Sequence, residues 1–188
     1  MKKTVNSYDQ VVDVDTLRET ALDFAESGFR VMRLHAIDSK GNCSCGWDDC
    51  KNPGKHPSSK NWAQMPAMSV DAIDALFEAG SIRHGMGVIL DTNIVIVDID
   101  VKNGGLASLE KLETDLGETL EHNSTFIVDS GSGGGSRHYW FSKDENIKVK
   151  KTTKEYPGID FLSAGCFVVM PNSVHKSGNT YSFPYAKK

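Results

Sequence analysis

The amino-acid sequence predicts an α+β domain with a mostly antiparallel sheet, and three observations carry that expectation. Helical hydrophobic spacing marks segments near residues 20, 75 and 110, whereas from Thr125 onward apolar runs of strand length succeed one another with only short turns between them. The chain has 188 residues, ample for one well-cored unit and short for two. Its 39% hydrophobic and 24% charged content is that of an ordinary soluble protein and not of a disordered segment. A single domain over residues 1–188 is therefore expected, with 1–13 as a polar leader.

Residues 16–27 carry Leu17, Ala21, Leu22, Phe24 and Ala25 at helical spacing, with Thr16 and Glu19 placed as a capping box and Gly28 as the stop. Residues 29–34 alternate apolar and basic side chains, as a half-buried strand does, and run into segment 40–60, which is rich in Cys, Gly, Asp and Pro and needs something to order it. Ser69 caps a second predicted helix to residue 79, with Val70, Ile73, Leu76 and Phe77 on the helical period and Gly80 ending it. Residues 86–90 and 94–100 are β-branched runs separated by Asp91, Thr92 and Asn93, which predicts a tight hairpin of two central strands. Residues 106–116 form a third helix with Leu106, Leu109, Leu112 and Leu116 as its apolar stripe. The runs 126–128, 138–141, 158–161, 166–170 and 180–183 complete the sheet.

The formal net charge of −4 weighs against a broad phosphate-binding surface, because such binding depends on lysine and arginine displacing counterions. Local basic groups are Lys55, Lys60, Arg137 and the run Lys148, Lys150, Lys151, Lys154, a run that reads equally well as a solvated loop. No stretch approaches the roughly 20 apolar residues that a bilayer span needs, and Lys2 and Lys3 precede polar residues instead of an apolar signal core. No membrane partner and a cytoplasmic location are expected.

The run Ile94-Val95-Ile96-Val97-Asp98-Ile99-Asp100 begins as a core strand and ends in two acids, which period two sets on one face. Like charges so placed raise each other's proton affinity unless a cation lies between them, and Mg²⁺ or Mn²⁺ is the natural one. The alternatives are a strand that simply ends in solvent, or the D-x-D of glycosyltransferases and of haloacid-dehalogenase-like phosphatases, which residues 101–105 fit only loosely. The glycine turn 131–135 leads to Ser136, Arg137 and His138, whose hydroxyl, guanidinium and imidazole suit a triphosphate, or else it is merely a flexible hairpin with a surface histidine. It is neither a dinucleotide fingerprint nor a Walker loop, since a strand follows it and the Walker lysine is missing. Asp160 is a lone carboxylate in an apolar strand and calls for a cation or a donor, or else caps a turn. His175 follows in Pro171-Asn172-Ser173-Val174-His175, either in the same pocket or on an exposed turn.

Cys43, Cys45, Cys50 and His56 offer three thiolates and an imidazole, the donor set of a closed structural zinc site. Disulfides are the competing reading, disfavoured because no secretory signal is evident and Cys166, which reads as a small core residue, is the remaining partner. Lys55, in Gly54-Lys55-His56-Pro57, points from this loop at phosphate or at water.

In this order the pieces resemble the Prim-Pol branch of the archaeo-eukaryotic primase superfamily, the bifunctional primase/polymerase domain of phages, plasmids and mobile elements. The likeness spans nearly the whole chain: the first helix with Gly28, the cysteine segment ending in G-K-H-P, the D-x-D at Asp98 and Asp100, the S-x-H at Ser136 and His138, Asp160, and P-N-S-V-H to His175 with Gly178 and Tyr181. The resemblance implies an RNA-recognition-motif-like sheet joined to a smaller α/β subdomain, with the active site in the cleft between them and the zinc loop inserted. It implies that Asp98, Asp100 and Asp160 hold catalytic divalent metals and that His138 contacts the phosphates of the incoming nucleotide, with Lys55, Ser136, Arg137 and His175 as further nucleotide contacts. The family often has P-P-S where this chain has Pro171-Asn172-Ser173. The implied reaction is in-line attack of a 3′-hydroxyl on the α-phosphorus of an NTP or dNTP against a single-stranded DNA template, with a fused or separate replicative helicase as a possible partner. A non-catalytic single-strand-binding module and a metal-dependent phosphohydrolase or nuclease are the rival readings.

Overall fold

The computed structural model describes residues 13–38 and 41–184; residues 1–12 of the expected 1–13 leader, and Lys40 at the start of the 40–60 loop, lie outside the described residues. By its internal contacts the chain divides into two compact units, Met1–Ile89 with Val168–Tyr181, and Leu90–Phe167 with Ser182–Lys188. Each has its own sheet.

The first unit opens with helix α1 (Val14–Glu26). Its N-cap is Asp13 and not Thr16: the Asp13 carboxylate accepts from the Thr16 backbone N–H at 3.1 Å and from its hydroxyl at 2.7 Å, so Thr16 is the capped residue of the first turn. The helix ends as predicted at Gly28, which sits at φ +85; the Phe29 N–H reaches back to the Phe24 carbonyl at 2.9 Å, and the two rings lie 5.1 Å apart. Helix α2 (Val70–Glu78) is capped by Ser69 and packs on α1, bridged by Arg18 to Asp74 at 2.6 Å and Glu78 at 2.9 Å. Strands β1 (Arg30–Arg33) and β2 (Met86–Ile89) pair antiparallel, and the sheet order is β1-β2-β7 with β7 spanning Phe167–Val169. Leu17, Ala21, Ile73, Val31 and Met86 fill the core beneath the helices.

The second unit carries a four-stranded sheet in the order β4-β5-β3-β6, from β3 (Ile94–Ile99), β4 (Phe126–Asp129), β5 (Arg137–Ser142) and β6 (Ile159–Leu162), with every neighbouring pair antiparallel. The predicted hairpin of the runs at 86–90 and 94–100 does not form. β2 pairs in the first sheet and β3 in the second, and Asp91-Thr92-Asn93 is the linker between them. Strand period predicts faces but not partners, and β2 is buried on both faces, as a central strand is.

Helix α3 (Gly105–Leu116) covers one face of this sheet, with α4 (Leu120–Asn123) after it. Leu112, Leu120, Val97, Ile99, Ile127, Tyr139 and Ile159 form its core, with Leu109 packed against it. Leu106 and Leu116 do not join the predicted stripe: they are 50% and 57% exposed, and the buried face runs through Gly105, Ser108 and Leu112. Gly105 takes a buried position of that face because the helix start is pressed against backbone, where a side chain has no room. Segment 180–183 contributes single bridges, Val174 to Thr180 and Asp129 to Ser182, in place of a full strand.

Candidate active site and zinc loop

The sheet register gathers the polar residues of the second unit. In β3, Asp98 stands opposite His138 of β5 on one side and opposite Asp160 of β6 on the other. Directly opposed residues of antiparallel strands present their side chains to the same face, so His138, Asp98 and Asp160 form a row across three strands. The row lies on the face opposite to α3, since Val97, Ile99 and Tyr139 alternate with it toward the helix. His138 Nε2 is 3.4 Å from Asp98 Oδ1; the histidine is 9% exposed, and the two carboxylates are 32% and 40% exposed.

Asp100 comes one residue after the strand. Its carboxylate caps the short 3₁₀ turn Val101–Asn103, accepting from the Lys102 N–H at 3.0 Å and from Asn103 Nδ2 at 2.7 Å. Backbone contacts fix this turn to the start of β6. The Asp100 N–H donates to the Gly158 carbonyl at 2.8 Å, and the Gly105 N–H donates to the Asp100 carbonyl at 2.9 Å. A Cβ on Gly158, at φ +80, would stand 2.6 Å from both the Asn103 oxygen and the Gly105 nitrogen. These two glycines let the acid-bearing chain ends approach, and the sequence signal for them is only that Gly158 precedes Asp160 by two residues and Gly105 follows Asp100 by five.

Ser136 is buried, and its hydroxyl accepts from the Val101 N–H at 3.2 Å, tying the glycine turn to the Asp100 turn. Arg137 is placed otherwise than its neighbour His138. Opposed to Ile99 and Asp129, it lies on the helix side of the sheet, with Nε 2.6 Å from Asp129 Oδ1 and Nη1 3.8 Å from Glu121 Oε2. Consecutive strand residues point to opposite faces, so Arg137 is an ion-pair residue of that face and not a companion of His138. Of the basic run, Lys151 comes closest to the row, its Nζ 3.8 Å from Asp160 Oδ2.

In the first unit, the ligand atoms of Cys43, Cys45, Cys50 and His56 all lie within 4.8 Å of one another. His56 Nε2 is 3.1 Å from Cys43 Sγ and 3.4 Å from Cys50 Sγ, and all the cysteines are free thiols. Donors about 2.0–2.3 Å from a tetrahedral ion stand about 3.5–3.8 Å apart, so the set suits zinc. Burial pushes the Cys43 thiol up, opposed by the Gly54 and Cys45 backbone N–H groups, while the Trp47 N–H pulls the Cys45 thiol down. Backbone donors aimed at sulfur favour the thiolate that a metal takes. The loop is stitched to the chain after β1 by bridges of Leu34 to Pro57 and Ile37 to Cys43. Among the described residues this is the one group of three or more such donors so close together, so Asp98, Asp100 and Asp160 share a sheet end without closing on one point. Cys166 is only half-buried.

Lys55 and His175 also belong to the first unit and meet at Tyr181: the Lys55 ammonium lies 5.8 Å over the ring, and the His175 ring is 6.1 Å from it, edge-on. His175 is buried, with Nδ1 accepting from the Ser177 N–H at 3.1 Å, which places the proton of the neutral ring on Nε2. Its loop is held by Asn172, at φ +64, whose amide donates to Thr20 Oγ1 at 2.8 Å, and by the fully buried Ser173, whose hydroxyl joins both the N–H and the carbonyl of Met86.

The sequence matches the family described as "Prim-Pol: Bifunctional DNA primase/polymerase, N-terminal" over residues 21–186. The chain belongs to the Prim-Pol family. Membership gives it primase/polymerase activity of the nucleotidyltransferase type in general terms, with nucleotides and nucleic acid as substrates. A search of curated proteins gave no match. Among the described residues no helix is long and apolar enough to cross a membrane.

Proposed function

We propose that this Prim-Pol chain extends a primer on single-stranded DNA from NTPs or dNTPs, and that the reaction takes place at the row His138, Asp98 and Asp160 with Asp100 beside it. The observation that supports this most is the register of β3 with β5 and β6, which gives two carboxylates and an imidazole one face of a hydrogen-bonded sheet. Carboxylates directly opposed across strands repel, and both are open to solvent, so the pair fits a hard divalent cation that keeps part of its water shell. Asp98, Asp100 and Asp160 would hold Mg²⁺ or Mn²⁺, and such ions neutralise phosphate oxygens and favour attack of a 3′-hydroxyl on the α-phosphorus with loss of pyrophosphate.

His138, oriented by the Asp98 carboxylate, offers its ring to the triphosphate on the same face. The Ser136 hydroxyl accepts from Val101 and still has a proton to donate to a phosphate oxygen. Lys55 and His175 meet at Tyr181 within the first unit and offer an ammonium and an imidazole to phosphate there. Zinc at Cys43, Cys45, Cys50 and His56 has a structural role, ordering a loop that carries little core of its own. A β-α-β-β-β path with the first and third strands central supports the RNA-recognition-motif-like sheet. Replication of a phage, plasmid or mobile element in the host cytoplasm fits this activity, whereas the family match speaks to nucleotide and nucleic acid and not to a helicase.

The test incubates zinc-loaded protein with a primed single-stranded template, labelled nucleotides and Mn²⁺ or Mg²⁺. Wild type extends the primer, and Asp98→Asn loses at least a hundredfold in rate. Nucleotide monophosphate released without extension favours the phosphohydrolase reading, and absence of any product favours the binding module; either result refutes the proposal.

A further inference from the structure

Lys151 brings an ammonium to the acid row around the edge of the sheet, its neighbour Thr152 being the residue opposite Asp160 and its long side chain reaching back to that carboxylate. The backbone of the 143–158 loop is fastened along β6, an edge strand of the sheet: the Phe161 N–H donates to the Lys151 carbonyl at 2.7 Å, and Thr152 forms a β-bridge with Asp160. The side chain then brings Nζ to 3.8 Å from Asp160 Oδ2, with 60% of it exposed and 40% of the aspartate. Lysines on edge strands also serve to discourage strand pairing with other molecules, and Lys148, Lys150 and Lys154 on the same loop answer that description. Lys151 differs from them in contacting the carboxylate that opposes Asp98.

We propose that Lys151 is the resident counter-cation of Asp160, competing with the divalent metal for that carboxylate and, once displaced by it, turning its ammonium to the phosphates of the bound triphosphate. The inference rests on the proposed metal site. Asp98 and Asp160 repel unless a positive group stands by, so an ammonium on Asp160 keeps the metal-free row intact at the cost of metal affinity. An exposed ion pair of this length is weak, and a divalent cation readily displaces it. The released ammonium stays tethered beside Asp160, where the triphosphate brings several negative oxygens.

The consequence is a pair of effects of opposite sign that a merely structural lysine does not produce. Zinc-loaded wild type, Lys151→Met, Lys151→Arg, Lys154→Met and Asp160→Asn are compared by electron paramagnetic resonance of free Mn²⁺, and then by binding of a non-hydrolysable triphosphate analogue at saturating Mn²⁺. Lys151→Met is expected to bind Mn²⁺ about two- to fivefold more tightly and the analogue about three- to tenfold more weakly. Lys151→Arg and Lys154→Met stay within about twofold of wild type in both assays, and unchanged melting temperatures establish that the variants are folded. Lys151→Met with Mn²⁺ affinity equal to or below wild type, or with undiminished analogue affinity, overturns the inference while the metal site stands. Asp160→Asn with Mn²⁺ binding unchanged overturns the metal site and this inference together.

Discussion

Gly158→Ala tests the backbone device that brings the Asp100 turn to β6. Two costs are separable. At φ +80 an alanine adopts the left-handed region at about 1–2 kcal/mol. Its Cβ would also stand 2.6 Å from the Asn103 oxygen and from the Gly105 nitrogen, both backbone atoms that cannot rotate away, and relieving such an overlap costs about 1–3 kcal/mol. The total of about 2–5 kcal/mol lowers the melting temperature by roughly 4–20 °C for a chain of this size. Gly117→Ala is the control: Gly117 ends α3 at φ +72, and a Cβ there would meet nothing within 4 Å, so it bears the conformational cost alone. Urea unfolding of both variants isolates the overlap as their difference. The overlap also pushes the Asp100 turn away from Asp160, so Gly158→Ala loses more primer extension than its folded fraction explains, whereas Gly117→Ala does not. Equal destabilisation by the two variants refutes the account of how these acids are positioned.

Removing metal from the Cys43, Cys45, Cys50 and His56 cluster, by chelator or by Cys50→Ser, is expected to release one zinc per chain and lower the melting temperature by several degrees, checked by elemental analysis and thermal unfolding. Ser173→Ala deprives the buried Met86 N–H of its hydroxyl acceptor, while the Met86 carbonyl keeps the Met170 N–H at 2.9 Å, and costs about 1–3 kcal/mol in urea unfolding. The Arg18 guanidinium beside Asp74 holds that carboxyl below its ordinary value. Its stabilising effect is therefore present above the usual aspartate range and is lost as pH falls through the lowered folded-state value. Asp74→Asn accordingly has a slightly lower melting temperature than wild type near neutrality, and the difference closes in acid.

What was legible in the sequence is what local physics decides. Ser69 before a helical period, Gly28 and Gly80 after one, and the metal donors clustered between Cys43 and His56 each act through near neighbours, and the structure has the caps, the stops and the cluster where those residues fall. Asp13 displaced Thr16 as the first cap because any short acceptor in extended backbone can serve, and an N-cap is readily misplaced by a turn. Non-local pairing was not legible. Two β-branched runs separated by three turn residues read as a hairpin, yet each found better partners far along the chain. Leu106 and Leu116 fit a stripe by number, but Gly105 and Ser108 hold the buried positions because the helix packs there against backbone and the Pro157 carbonyl. Adjacency groups Arg137 with His138, although strand period separates them by face. The row itself needed the register: period two relates Asp98 to Asp100, and only the sheet relates Asp98 to His138 and Asp160.

The most direct measurement is the anomalous diffraction of crystals of the zinc-loaded protein soaked with Mn²⁺ and a non-hydrolysable nucleoside triphosphate. A manganese peak is expected against the Asp98 and Asp160 carboxylates, with the triphosphate on the same sheet face as His138. Manganese bound elsewhere, or a triphosphate on the α3 face beside Arg137, would contradict it.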